Sequence, residues 1–218
     1  MTRVLVVAAH PDDAELAVGG TLALLADRGA EVTVALATVS EFRADLRPLR
    51  RAAAEEAAGI IGHRIRWMAE GHYDQVEQLP DYRLVELVDA VVEEIDPAVV
   101  ITHWEGDSHG DHVRLARSVL ASSRRWPGTG LVQFGPNEYR TPLHGEFTAN
   151  LYVPITEQLE RKKKALRCYR YPGQGFRAPD EDAVDLLART HGLAVGVSAA
   201  EALLIRRIRW NSALPGLV

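Results

Sequence analysis

Two short stretches concentrate the side chains of this chain that can do chemistry. The first is Ala9-His10-Pro11-Asp12-Asp13, where an imidazole and two carboxylates fall within four residues. The second is His103-Trp104-Glu105-Gly106-Asp107-Ser108-His109-Gly110-Asp111-His112. It holds three histidines and three carboxylates in ten residues, in a chain with eight histidines in all. Imidazole nitrogen and carboxylate oxygen together suit Zn²⁺. His10 and Asp13 are three residues apart, so a chain that turns into a helix there aims both at one point. Asp12, between them, then points elsewhere, toward a water held by the ion. Helix capping is the plainer explanation of the first stretch, but a cap needs one Asp and no His.

In the second stretch His112 opens a helix and His109 lies three residues before it. One of them serves as a ligand and the other as an acid beside it. His103 either lines the same site or merely ends the preceding strand. Asp111 either orients a ligand imidazole or caps the helix. Two ligands from the first stretch and one from the second make three, the usual protein complement of a catalytic zinc, which leaves a position for water. Such an ion lowers the pKa of that water to about 7. Asp12 can take its proton, and a protonated His109 can stabilise the oxyanion of a tetrahedral intermediate. The constellation is that of a metal hydrolase.

The elements that must position these residues follow from periodicity and punctuation. Val4 to Ala9 is a short, continuous apolar run of the kind found in buried parallel strands. Leu16 to Arg28 has helical spacing and Gly29 closes it. Strands are expected at Val32 to Ala37, Arg64 to Met68, Ala98 to Thr102 and Phe147 to Val153. Helices are expected at Leu49 to Ile61, Asp81 to Ile95, Asp111 to Ser122, Glu157 to Tyr169 and Glu181 to Thr190. Such alternation predicts an α/β fold, a parallel sheet with helices on both faces. Ligands of such sheets bind beyond the carboxyl ends of the strands, where strand order reverses. Both stretches fall there. Arg124 to Gly145, with Trp126-Pro127-Gly128, Gly135-Pro136-Asn137 and Thr141-Pro142, reads as a long loop or lid over the pocket. Gly19-Gly20 permits either close backbone approach or tight helix packing.

Composition bounds the partners. The 218 residues suit a single domain spanning 1–218. At 47% hydrophobic and 25% charged they describe an ordinary globular protein. A formal net charge of −5 argues against a nucleic-acid surface. The one cysteine, Cys168, excludes an internal disulfide and is read as a packing residue. No apolar run approaches the roughly 18 residues of a membrane span, and Val4 to Ala9 ends at once in His-Pro-Asp-Asp rather than continuing as a signal peptide. The expectation is a cytoplasmic protein. Association into a homo-oligomer is left open.

The His-Pro-Asp-Asp stretch with Gly19-Gly20, together with Asp107-Ser108-His109-Gly110-Asp111-His112, resembles the PIG-L/LmbE-like deacetylases. The similarity runs over most of the chain. It takes in the Leu49 to Gly62 helix (with Ala53 where the family usually has Glu), Val153 to Leu166, and Glu201. The resemblance implies a Rossmann-like three-layer fold with a mostly parallel sheet. It also implies removal of an N-acetyl group from an amino sugar or glycoconjugate, with Zn²⁺ as cofactor; a His₂Asp donor set also binds Fe²⁺ or another divalent ion. By matching positions it implies His10, Asp13 and His112 as ligands, Asp12 as general base and His109 as the charge-stabilising histidine. Arg50 and Asp74 would contact substrate hydroxyls. The family often has Ser-Gln after its Lys-x-x-Ala-Leu; here the motif is absent or displaced onto Gln174. An amidase acting on a thiol S-conjugate or another N-acyl small molecule is the alternative. A metal-binding module without catalysis is the remaining one, and Asp12 and His109 speak against it. The first strand leads into His-Pro-Asp-Asp, not Gly-x-Gly-x-x-Gly, which speaks against a dinucleotide site.

Overall fold

A computed structural model describes residues 1–41, 43–68, 76–136, 146–172 and 179–208. Strand β1 (Arg3–Ala8) explains its own apolar run. Val4, Val6 and Ala8 face one hydrophobic cluster, and Leu5, Val7 and Ala9 face another, so the strand is buried on both sides. It pairs in parallel with β2 (Glu31–Leu36) on one side and β4 (Val99–His103) on the other. Beyond these, β3 (Arg64–Trp67) joins β2 and β5 (Gly130–Phe134) joins β4, again in parallel. The strand β7 (Ala200–Arg207) runs antiparallel between β5 and β6 (Leu151–Pro154). The full order is β3-β2-β1-β4-β5-β7-β6 in one seven-stranded sheet.

Helices cover both faces. Residues of α1 (Asp13–Asp27), α2 (Arg47–Ile61) and α5 (Leu159–Arg167) contribute to the first cluster, and α6 (Glu181–Val195) packs on β6 and β7. Helices α3 (Asp81–Ile95) and α4 (Gly110–Ser122) contribute to the second through Leu84, Val88, Val91, Leu115 and Val119. The chain winds outward from β1 to β3 and then crosses to β4. The segments that follow β1 and β4 therefore lie side by side where the strand order reverses, as expected of an open α/β sheet.

Three expectations change. The 124–145 stretch is not wholly a loop: residues 130–134 are an interior strand, all buried. The Pro-Gly punctuation on either side, and Gln133 within it, masked a five-residue run. Gln133 is tolerated at 0% exposure because its amide donates to the His103 carbonyl and to Glu105, and accepts from Arg206. The remainder at 137–145 lies outside the described residues. The strand expected at Phe147 to Val153 forms at Leu151–Pro154. Helix α1 starts at Asp13 rather than Leu16, because Asp12 turns the chain at φ 90° and accepts the amide of Leu16.

The Gly19-Gly20 pair resolves as packing. A side chain on Gly19 would meet Lys162 Cγ at 3.2 Å, and one on Gly20 would meet Ile155 Cδ1 at 2.7 Å. The close approach lets Glu201 accept from the amides of Gly20 (2.9 Å) and Thr21 (2.7 Å), while Lys162 Nζ pairs with it at 2.6 Å. Both charged side chains are buried. Removing one partner of a buried pair leaves the other uncompensated. Lys162→Met and Glu201→Gln should each lower unfolding free energy by about 3–5 kcal/mol, measured by urea denaturation. A loss below about 1 kcal/mol, the scale of an exposed pair, would contradict this role.

Candidate metal centre

The turn after β1 carries the first set of residues. Asp12 sits in the left-handed region, which Asp tolerates better than most residues. That conformation costs on the order of 1–3 kcal/mol. It swings Asp12 out of line with Asp13, whose carboxylate reaches back to accept the amide of His10 at 2.8 Å. The turn is held from behind. Arg50 of α2, buried, donates to the carbonyls of Ser40 (3.0 Å) and Pro11 (3.2 Å) and lies 3.9 Å from Asp12 Oδ1. Under the first turn of α1, Glu15 Oε1 stands 3.3 Å from His63 Nε2, with both side chains buried.

The second set follows β4. His103 ends that strand and also lines the site. Its Nε2 accepts the Ala9 amide at 3.0 Å, and its ring stacks on His112 at 4.1 Å between centroids. His112 lies in the first turn of α4. Its Nε2 is 3.3 Å from His10 Nδ1 and 3.3 Å from Asp13 Oδ1, and His10 Nδ1 is 3.6 Å from Asp13 Oδ2. A tetrahedral ion with bonds of about 2.0–2.1 Å separates its ligand atoms by about 3.3 Å. The separations among His10, Asp13 and His112 are of that order, with His112 facing Oδ1 of the Asp13 carboxylate and His10 facing Oδ2. Ring nitrogens of His10, His109 and His112 also lie within 4.8 Å of one another, as do donor atoms of Asp13, His103 and His112.

Carboxylates fix the far side of both imidazoles. Asp111 Oδ2 lies 2.8 Å from His10 Nε2, which leaves Nδ1 facing the centre. Asp107 Oδ2 lies 2.8 Å from His112 Nδ1, which leaves Nε2 facing it. Of the two roles considered for Asp111, the geometry selects the imidazole. The cap of α4 is His109, whose Nδ1 accepts the Asp111 amide at 3.2 Å. Asp107, which also accepts the His109 amide at 3.0 Å, was not among the expected site residues. Its signal was present, since it belongs to the same acidic and histidine-rich stretch, but no spacing rule ties it to His112 across a loop. Asp74 and Gln174 lie outside the described residues.

The electrostatics follow from crowding. Burial pushes Asp12 up to about 7; Arg50 opposes the shift, and Asp13 and Glu15 add to it. Burial works against the charge of Asp13, but His112, His103 and His10 together hold it well below the usual carboxylate range. His112 is also opposed by burial, yet Asp13 and Asp107 push it up to about 10. Burial, with His112 beside it, lowers His103 to about 4. Burial, then His112 and His10, keeps His109 below the ordinary histidine value. Its Nδ1 already accepts a hydrogen bond from the Asp111 amide, so the neutral ring carries its hydrogen on Nε2. The site thus offers clustered nitrogen and oxygen donors that could hold a divalent ion, a carboxyl that titrates near 7 and a neutral imidazole donor.

A mostly parallel Rossmann-like sheet with a His/Asp cluster able to hold a metal at its switch point marks an α/β protein with a candidate metal site. The family model described as PIG-L, GlcNAc-PI de-N-acetylase, matches residues 5–123. That match includes both site stretches, and the chain belongs to this family. The 1D-myo-inositol 2-acetamido-2-deoxy-alpha-D-glucopyranoside deacetylase of Saccharomonospora viridis is 31% identical, the match covering 93% of this chain and 94% of the relative. A Bacillus cereus protein described as "Probable N-acetyl-alpha-D-glucosaminyl L-malate deacetylase 2" is 31% identical over 57% of this chain, and the match spans 62% of that relative's length. The N,N'-diacetylchitobiose deacetylase structure from Pyrococcus horikoshii superposes with a TM-score of 0.76 at 23% identity, covering 98% of this chain and 89% of that one, which shows a shared fold. Among the described residues no helix is long and apolar enough to cross a membrane.

Ligation through His112 Nε2 requires the ring to give up the proton that its carboxylates retain up to about pH 10. Zinc binding to the metal-free protein at pH 7 should therefore release about one proton per ion. Calorimetry in buffers of different ionisation enthalpy reads this directly. Heat that does not vary with buffer would contradict the arrangement.

Proposed function

We propose that this chain hydrolyses the N-acetyl amide of an amino sugar, free or in a glycoconjugate, with a zinc ion held by His10, Asp13 and His112. The observation that carries the reading is the convergence of His10 Nδ1 and His112 Nε2, 3.3 Å apart, on the two oxygens of the Asp13 carboxylate at 3.6 and 3.3 Å, with the carboxylate of Asp12 on the adjoining residue. Family membership and the deacetylase relatives give the reading its substrate class. A His₂Asp set accepts several divalent ions, so zinc is the choice that best suits the donors. An ion bound there supplies positive charge that acidifies water and polarises the acyl oxygen.

The chain's own residues do the rest. Asp12, lifted to about 7, takes a proton from the attacking water and can hold it at neutral pH. It then returns that proton to the nitrogen of the departing amine, so that amide and water become acetate and free amine. His109 donates from Nε2 to the oxygen on which negative charge develops. A protonated ring was the expectation for this role; the neutral tautomer set by the Asp111 amide serves it without one. Asp107 and Asp111 keep the two ligand rings oriented, a support whose loss typically weakens metal binding 10–100-fold. Arg50, expected at the substrate, makes contacts that support holding the Pro11-Asp12 turn. The described strands share one sheet, which supports treating the deacetylase unit as a single domain.

The test is acetate release from a panel of N-acetylglucosamine derivatives, with chelator and with zinc restored. Release should stop on chelation and return with zinc. Cleavage confined to thiol conjugates would replace the sugar reading with the amidase alternative. Asp12→Ala should retain its ion and lose about 10²–10⁴-fold in kcat, the span of general-base loss. Undiminished turnover in that variant would remove Asp12 from the mechanism.

A further inference from the structure

Asp111 has two oxygens and serves two elements. Oδ2 meets the ring of His10; Oδ1 accepts the backbone amide of Glu77 at 3.0 Å. Glu77 lies in the short 3-10 turn Val76–Gln78, which is fastened to α4 a second time. Arg114 donates to the carbonyls of Val76 (3.1 Å) and Leu79 (2.5 Å) and pairs with Asp81 at 2.6 Å. The turn is therefore anchored within two hydrogen bonds of His10. Its buried members are Val76 and, just beyond it, Leu79, which face the apolar cluster, whereas Glu77 is exposed.

The side chain of Glu77 reaches the start of α4. Its Oε1 lies over Gly110, where a side chain on Gly110 would begin only 2.9 Å away. Gly110 follows His109, the exposed imidazole aimed at the reacting carbonyl in the reading above. Among the described residues no hydrogen bond or ion pair engages the Glu77 carboxylate. An exposed carboxylate beside the start of α4, with its backbone amide held by Asp111 and no side-chain partner among the described residues, is suited to accept hydrogen bonds from hydroxyl groups. Sugar rings carry such groups in pairs.

We propose that Glu77 is a substrate-binding residue, accepting hydrogen bonds from ring hydroxyls of the sugar whose acetamido group lies at the centre. This rests on the amino-sugar reading. It makes Gly110 a specificity position as well, since any side chain there displaces the carboxylate.

The experiment compares wild type and Glu77→Gln, each loaded with zinc, by acetate release and by calorimetric titration with N-acetylglucosamine and the product glucosamine. Losing a hydrogen bond to a charged acceptor costs about tenfold or more. The expected result is a tenfold or larger rise in KM and Kd, with kcat within about threefold, zinc content unchanged and melting temperature unchanged. A carboxylate that only complements the start of α4 would lower the melting temperature and leave KM alone, which overturns the proposal. Singly deoxygenated substrates give the second arm. For the analogue lacking the contacted hydroxyl, wild type and variant should coincide; equal penalties on every analogue would overturn the assignment. Equal sugar binding by the two proteins sinks the role of Glu77 and leaves the deacetylase reading intact. A wild type that neither binds nor deacetylates any sugar sinks both.

Discussion

Asp13 faces three imidazoles at once, with His10, His103 and His112 all within 3.6 Å of its oxygens. Concentrating ring nitrogens in a buried space is unfavourable unless something positive lies between them or each ring is tied from behind. Asp107 and Asp111 tie two rings from behind, and the Ala9 amide donates to the Asp13-facing Nε2 of the third. What remains is a cluster of lone pairs converging on one space, which a divalent cation satisfies better than a proton. The raised pKa of His112 is the metal-free expression of the same field.

That cluster could not form on loops alone. Its two halves come from segments distant in sequence, brought into register because β1 and β4 are hydrogen-bonded neighbours. The turn at Asp12 accepts an unfavourable backbone conformation, and the surroundings over-determine it: Arg50 on the Pro11 carbonyl, the Leu16 amide on Asp12, the buried Glu15–His63 pair beneath. Glu201, paired with Lys162, accepts two amides in the middle of α1, the helix that Asp13 opens. The strain at the site is thus borne by contacts away from it.

Much of this was legible in the residues. Buried parallel strands announce themselves as apolar runs, and α3 forms at Asp81–Ile95 as its periodicity predicts. Chemistry-bearing side chains after the first and fourth strands pointed to the switch point. Other features were hidden for physical reasons. Strand β5 contains a buried glutamine whose partners come from β4, the loop beyond it and β7, so local polarity misled. Strand β7 is Ala- and Arg-rich with a buried Glu201, a composition that becomes a strand only through tertiary pairing. Asp107 meets His112, and Glu77 meets Asp111, across turns whose geometry no periodicity encodes.

Diffraction on zinc-soaked crystals at the zinc absorption edge locates the ion. One strong anomalous peak is expected, about 2.0–2.1 Å from His10 Nδ1, His112 Nε2 and an oxygen of Asp13. A peak ligated instead through His103 or His109 in place of His10, or no peak in crystals of protein that releases acetate in the presence of chelator, would contradict this placement.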